Sequence, residues 1–313
     1  MLKRAMTSAA IRLGPTNPLV LLLTDRKCRQ FGVTLANRGS FLELRKGDQV
    51  MRLAPNHFPY APDMAARFDL YFSPLVPTVI DGVSVLDFSR PGILQTYRRS
   101  GLQFEMSSFP EEDEAMESYF HWHTGQVGET IFDIGAHCGV STYLFSKLVG
   151  PTGRVIAFEP DPVNYSLLLH NIERHQLWNV TPLQIAISDK RGEAKFNCES
   201  TIGSGLTKHS TRASVGNVIV VKTVTLQDAF EQWGPSSFCK IDIEGAEVAV
   251  ISASLNYLRR ISCQFALDTN HLVDGSFTDR RVERLFRDCG YESTSSTFGF
   301  RTTWARPVNH ARS

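Results

Sequence analysis

From about residue 130 onward the chain alternates short apolar runs with stretches of helical periodicity, and this alternation limits the fold more than any other feature. Residues 130–134, 154–158, 180–187, 238–243 and 261–267 read as strands, and 140–148, 162–175 and 246–258 read as helices between them. Strands separated by helices at this spacing form βαβ units, which require a mainly parallel sheet covered on both faces. A helix over 279–289 and two strands between Tyr291 and Ala305 are expected to close it.

The first third reads differently. Segments 30–36, 41–45 and 49–54 are strand-like and are separated by Asn37-Arg-Gly-Ser40 and Lys46-Gly-Asp48, both rich in turn formers, which predicts an antiparallel meander. Residues 83–106 are also strand-rich, broken at Pro91-Gly92 and Ser100-Gly101. The acidic stretch Pro110-Glu-Glu-Asp-Glu114 then offers negative charge at the start of a helix running toward Trp122. The expected organisation is a small β-rich accessory unit over 1–110 and an α/β domain over 111–313, a division that a 313-residue chain can sustain.

Charge narrows the partners. Lys plus Arg number 33 against 32 Asp plus Glu, so no global field favours nucleic acid or an anionic membrane, and a small or neutral partner is expected. Six scattered cysteines form no CxxC pair for zinc or redox chemistry and no dense framework, which fits a reducing compartment. Near the N-terminus, Lys3, Arg4 and Arg12 precede the apolar run Leu19-Val-Leu-Leu-Leu23, superficially like a targeting segment. That run falls well short of the roughly 20 residues of a spanning helix and has no clear cleavage site, so a cytoplasmic chain without an integral membrane segment is expected.

Three motifs carry chemistry. The first strand ends in Asp133-Ile-Gly135 and the following helix opens near Gly139, a D-x-G-x-x-x-G turn whose glycines let backbone approach a ligand and expose helix N-terminal amides. Such turns also arise from packing alone. Phe158-Glu-Pro-Asp161 ends the second strand, placing Glu159 where an acid can accept both ribose hydroxyls of an adenosine ligand. The alternative role of Glu159, complementing a helix dipole, can be filled by Asp161. A nicotinamide cofactor would require a second glycine where His137 stands, because that glycine lets pyrophosphate approach the backbone; a ligand without phosphates has no such need. No Walker loop is present.

The third motif is Cys239-Lys-Ile-Asp-Ile-Glu-Gly-Ala-Glu247. Period two places Lys240 and Asp242 on one face at the strand end where open parallel sheets bind ligands. Either Lys240 pairs structurally with a buried carboxylate, or Asp242 and Glu244 face a reacting hydroxyl. His271 follows the fifth strand on the same sheet edge and is a third candidate base, against the plain alternative of an exposed loop histidine. Asp242 with Asp268 can in principle chelate a cation, but no spacing compels one, and no metal is expected.

Taken together, Phe132–Gly139, Ala157-Phe-Glu-Pro-Asp-Pro162, Ala186-Ile-Ser-Asp189, Val224-Thr-Leu226 and Lys240–Glu247 resemble the FkbM family of class I methyltransferases over about residues 115–260. The resemblance implies a Rossmann-like doubly wound domain using S-adenosylmethionine, with a sugar, glycan or natural-product-like small molecule methylated on oxygen. It further implies that Asp133, Gly135, Ala136 and Gly139 line the methionine end, Glu159 holds the ribose, and backbone near Ala186 borders adenine. Asp242 and Glu244 match the segment on the acceptor side. Two departures stand out: His137-Cys138, where Asn and an aliphatic residue are common, and Leu226-Gln-Asp228, where an acid more often follows the leucine directly. His137 is then either a local cap or a polar contact to the cofactor. The β-rich unit has three uses open to it: covering the acceptor pocket, forming a homodimer, or docking a partner enzyme. Two other readings remain, a non-catalytic adenosine-ligand module and, further off, a nicotinamide-dependent oxidoreductase.

Overall fold

The computed structural model describes residues 14–108, 118–199, 203–207, 217–296 and 301–308, which divide into two compact units, one before and one after the 109–117 segment. The acidic start of the helix expected after Pro110 lies outside the described residues.

In the first unit the apolar run at Leu19 proves to be the opening of helix α1 (Pro18–Arg29). Asn17 caps it by accepting from the Leu19 and Val20 amides, and Arg26, Lys27 and Arg29 complement the dipole at its far end. Among the described residues no helix is long and apolar enough to cross a membrane. The meander follows as β1 (Thr34–Asn37), β2 (Leu42–Lys46) and β3 (Gln49–Leu53), and the Leu35 amide donates to Asp25 Oδ1 at 2.7 Å. A 3-10 turn and two short helices, α2 (Ala61–Ala66) and α3 (Phe68–Phe72), come next. They were not foreseen, because five or six residues show too little of a 3.6-residue period to stand out. They form the crossover that lets β5 (Val83–Phe88) pair in parallel with β3, while β4 (Thr78–Ile80) closes the sheet in the order β1-β2-β3-β5-β4. A separate hairpin joins β6 (Ile93–Thr96) to β7 (Gln103–Met106).

The second unit is built on β8 (Thr130–Ile134), α4 (Val140–Val149), β9 (Arg154–Phe158), α5 (Pro162–Arg174) and β10 (Val180–Leu183). A smaller sheet is inserted next: β11 (Ala186–Ile187), β12 (Gly192–Cys198), β13 (Gly205–Leu206) and β14 (Asn217–Val224), in the order β11-β14-β12-β13. The 180–187 segment expected as one strand is therefore split between two sheets. After helix α6 (Leu226–Trp233) the main sheet resumes with β15 (Phe238–Ile241), α7 (Glu247–Leu258) and β16 (Gln264–Asp268). The small hairpin β17 (Leu272–Val273) and β18 (Ser276–Phe277) precedes α8 (Asp279–Asp288), β19 (Tyr291–Ser295) and β20 (Thr302–Pro307).

The main sheet runs β10-β9-β8-β15-β16-β20-β19, parallel through β16 and antiparallel beyond it. Alternate residues of the strands feed two cores. Ile131, Val155 and Phe238 pack with Phe145 and Val149 of α4, while Phe132, Ile134, Ile156 and Phe158 pack with Phe230, Val250, Ile251 and Phe286 on the other face. The doubly wound α/β architecture is thus present, with strand order reversing at β8, where such sheets open a crevice at their carboxyl ends. The Leu226-Gln-Asp228 departure also has a local cause. Asp228 is the third residue of α6 and forms a capping box with Thr225, accepting from the Thr225 amide at 2.9 Å.

Candidate functional site

At the crevice, the loop after β8 is folded back on β9. The amides of Gly135 and Ala136 both donate to the Phe158 carbonyl, at 2.9 and 3.0 Å, and the His137 amide donates to Glu159 Oε2 at 2.8 Å. Gly135, His137 and Gly139 have left-handed φ values of 79°, 50° and 94°. At Gly135 the reason is close approach: a Cβ there would lie 1.8 Å from the backbone oxygen of Asp242. The loops after β8 and β15 therefore touch through backbone.

Asp133 is fully buried and accepts from Ser141 Oγ at 2.8 Å and Thr142 Oγ1 at 2.6 Å, which draws the start of α4 onto the strand end. Its other oxygen lies 3.5 Å from Lys240 Nζ, its partner in the β8–β15 register, and has no hydrogen bond. Lys240 Nζ donates to the Gly135 carbonyl at 2.5 Å. The geometry of Lys240 is that of a structural pair: a buried cation that ties the glycine loop to the central strand. Asp242 itself stands one residue beyond β15, its amide donating to Ile134 O at 2.9 Å.

Glu159 is 5% exposed, and its second oxygen accepts from the Asp161 amide at 2.8 Å. Burial pushes its carboxyl up to about 8, the Asp161 carboxylate adds to that, and the two backbone N–H groups and Lys240 oppose it. Asp161 does cap α5, accepting from the Val163 and Asn164 amides, and its other oxygen accepts from Ser204 Oγ at 2.7 Å. An ionised carboxylate has about four acceptor positions, and the two described amides use half of them, so Glu159 retains capacity for a diol. Burial holds His137 down to about 4, against Asp161, so its imidazole is neutral. Gly139 is the N-cap residue of α4 and provides no side-chain cap. Ala136 is buried with Ala157 and Leu168; its amide donates to Phe158 O on β9 and its carbonyl accepts from the Gly139 amide. Ala186 is 5% exposed on β11. A cavity of about 450 Å³ lined by Ser188, Lys190, Lys195, Leu206 and Thr223 lies on the inserted sheet and includes no residue of the glycine loop.

A second cluster forms at the ends of β15 and β16. His271 Nε2 lies 3.9 Å from Asp242 Oδ1 and 3.4 Å from Glu244 Oε1, and its Nδ1 lies 3.0 Å from Glu247 Oε1. The last contact is close but off the axis of the ring N–H, so it is electrostatic rather than a formed hydrogen bond. The His271 side chain is only 12% exposed, unlike an ordinary loop histidine. Burial disfavours its charged form, yet Glu247 and Glu244 outweigh this and hold it well above the usual histidine range. Glu244 sits at φ 54°, backbone that a glutamate adopts only under constraint. Glu247 is fully buried and accepts from the Ile243 and Gly245 amides. Asp268 accepts from the Asn270 amide at 2.7 Å, and burial pushes its carboxyl up against the pull of His271.

The structure thus brings Asp242, Glu244 and His271 together, as the strand-end argument requires. It adds Glu247, to which no role was given from sequence although it ends the third motif. Its signal there was weak: as the first residue of a helix it reads as a dipole carboxylate.

Among known proteins, the methyltransferase FkbM domain model matches residues 133–293. A 31-O-demethyl-FK506 methyltransferase FkbM of Streptomyces tacrolimicus is 38% identical over 80 residues, 25% of this chain and 30% of that protein. The aligned stretch therefore spans less than a third of that relative. In shape, the methyltransferase FkbM of Methylobacillus flagellatus KT aligns with a TM-score of 0.42 at 14% identity, over 91% of this chain and 58% of that one. A precorrin-6y C5,15-methyltransferase of Geobacter metallireducens GS-15 aligns with a TM-score of 0.42 at 15% identity, over 63% of this chain and 91% of that one. With the family model covering more than half of its length, the chain belongs to the methyltransferase FkbM domain family, whose cofactor is S-adenosylmethionine.

Proposed function

We propose that the protein is an S-adenosylmethionine-dependent O-methyltransferase acting on a hydroxyl of a sugar, glycan or natural-product-like small molecule, with residues 111–313 as the transferase domain and 1–110 as an accessory unit. The observation that carries this reading is the backbone contact between Gly135 and Asp242, which sets the glycine loop and Glu159 beside the Asp242–Glu244–His271 cluster on one sheet edge. Glu159 holds the ribose, the backbone of Gly135 and Gly139 receives the methionine end, and Ala186 borders adenine. Asp133 and Ala136, both buried, act by shaping the loop.

When bound, S-adenosylmethionine supplies a sulfonium methyl that is intrinsically transferable. The residues then have to place an acceptor oxygen in line with that methyl and take up its proton. The acceptor's hydroxyl proton would pass to a carboxylate of this cluster. Asp242 is the first candidate base and Glu244 the second. His271, held as an imidazolium by Glu244 and Glu247, orients these carboxylates rather than accepting the proton itself.

The test is calorimetric titration with S-adenosylmethionine and S-adenosylhomocysteine, followed by a radiolabelled-methyl assay over an acceptor panel. Tight binding with no transfer to any acceptor would leave a binding module, and binding of NADH instead would overturn the cofactor. Glu159 makes a sharper demand. A ribose diol donates to the ionised carboxylate, but a group near 8 is ionised to only about one part in a hundred at pH 6. Affinity for S-adenosylhomocysteine should therefore tighten about tenfold per pH unit up to pH 7 and level off above about 8. Glu159→Gln should bind more weakly and lose this slope; an unchanged slope in the variant would remove Glu159 from the ribose site.

A further inference from the structure

The leucine run that opens α1 faces away from the core of its unit. Val20, Thr24, Asp25 and Cys28 make up the buried stripe of the helix, whereas Leu19 is 64% exposed, Leu22 62% and Leu23 39%. We propose that this outward face docks onto an anionic lipid membrane, with the helix lying in the plane of the headgroups. The inference is independent of the methyl-transfer reading.

Polar contacts on the inner side fix this orientation. Asp25 Oδ1 accepts from the Leu35 amide at 2.7 Å, and Cys28 Sγ donates to the Ala61 carbonyl at 3.7 Å. Turning the leucines inward would strip the Leu35 amide and the Asp25 carboxylate of each other, so the leucines stay in solvent. Residues 19, 22, 23, 26 and 27 recur at helical spacing and share one face. Its first half is apolar, and its second half is the exposed pair Arg26 and Lys27. Arg29 is also exposed and pairs with Asp25 at 2.6 Å, while among the described residues Arg26 and Lys27 have no ion pair.

Charge selects the occupant. No acidic residue stands on the face, and the sequence before Asp25 holds Lys3, Arg4 and Arg12 but no Asp or Glu. The net charge of +1 conceals this excess, because it is confined to one stretch of the chain. A second copy of the same face would bury the leucines but leave Arg26 and Lys27 without counter-charge. A nucleic acid would meet the cations and not the leucines. An anionic bilayer meets both, taking the leucines at the acyl boundary and the cations among its headgroups, with their alkyl stems along the apolar layer. The 12 residues of the helix extend about 18 Å, against roughly 30 Å of hydrocarbon, so the helix lies on the membrane rather than across it.

The test is co-sedimentation of the full chain with vesicles of phosphatidylcholine alone or with roughly one-third phosphatidylserine. Binding to the anionic vesicles is expected to be at least about tenfold tighter than to the neutral ones. It should weaken between about 0.1 and 1 M salt, as the Debye length falls from about 10 to about 3 Å. Leu19→Ser with Leu22→Ser should weaken it at least about tenfold, and Arg26→Gln with Lys27→Gln roughly fivefold for each cation removed. All four side chains are exposed, so an unchanged midpoint in urea unfolding is expected and shows that the variants are folded. Failure of the folded wild type to bind anionic vesicles overturns the proposal, as does equal binding to neutral vesicles or binding that the leucine variant leaves unchanged. A wild-type dimer that the leucine variant converts to monomer would assign the face to a second copy and overturn it too.

Discussion

Asp242→Asn is expected to lower turnover by roughly 10²–10⁴-fold while leaving affinity for S-adenosylhomocysteine within about threefold of the wild type. Asparagine keeps the size of the side chain and its place beyond β15, where the backbone amide still donates to Ile134 O. It removes the basic oxygen that faces His271. Because the cofactor loop meets Asp242 through the main chain, the substitution leaves that contact untouched. Steady-state rates with radiolabelled methyl donor, set beside calorimetric affinities, separate the two effects. Turnover within threefold of wild type would mean that the proton goes elsewhere, with Glu244→Gln as the next variant to measure.

The second large effect falls on stability. Gly135→Ala places a Cβ 1.8 Å from Asp242 O, in a residue whose amide is bonded to Ile134 O, at a φ of 79° that alanine adopts with strain. The left-handed conformation costs roughly 1–2 kcal/mol and forced overpacking a further 1–3 kcal/mol. A loss of about 2–5 kcal/mol is expected in urea unfolding, together with loss of cofactor binding as the two loops are driven apart. Gly275→Ala is the comparison. Its φ is 81°, yet nothing lies within 4 Å of the added atom, so only the conformational cost applies. If the two variants unfold at the same denaturant concentration, the close approach of the loops is not what holds Gly135 as glycine.

The strand–helix alternation was legible because it depends on local period. Strands 130–134 and 154–158 and the helix starting at Pro162 stand where the apolar pattern puts them. The inserted sheet was not legible. β12 and β14 pair along seven residues, but the expectation of a single 180–187 strand ran across the break between β10 and β11. Periodicity registers that a segment is extended and says nothing of which sheet receives it. Lys240 shows the same division. Its sequence offers a buried carboxylate as partner without naming one, and the register places it opposite Asp133.

What the sequence by itself determined is the βαβ order, the glycine turn after the first strand and an acid at the end of the second, since each follows from residues adjacent in the chain. For Asp242, Asp268 and His271 the sequence indicates a shared sheet edge, and only the tertiary structure sets their side chains within reach of one another. Asp242 and Asp268 are separated by all of α7 and the rest of β16, of which Asp268 is the last residue, and no local spacing rule relates them. They meet because parallel strands in register end together, Ile241 beside Leu267, and the chain beyond each strand emerges on the same edge. Glu247 and His271 then close around them, because a buried carboxylate and a buried imidazole are each stabilised by the other's charge.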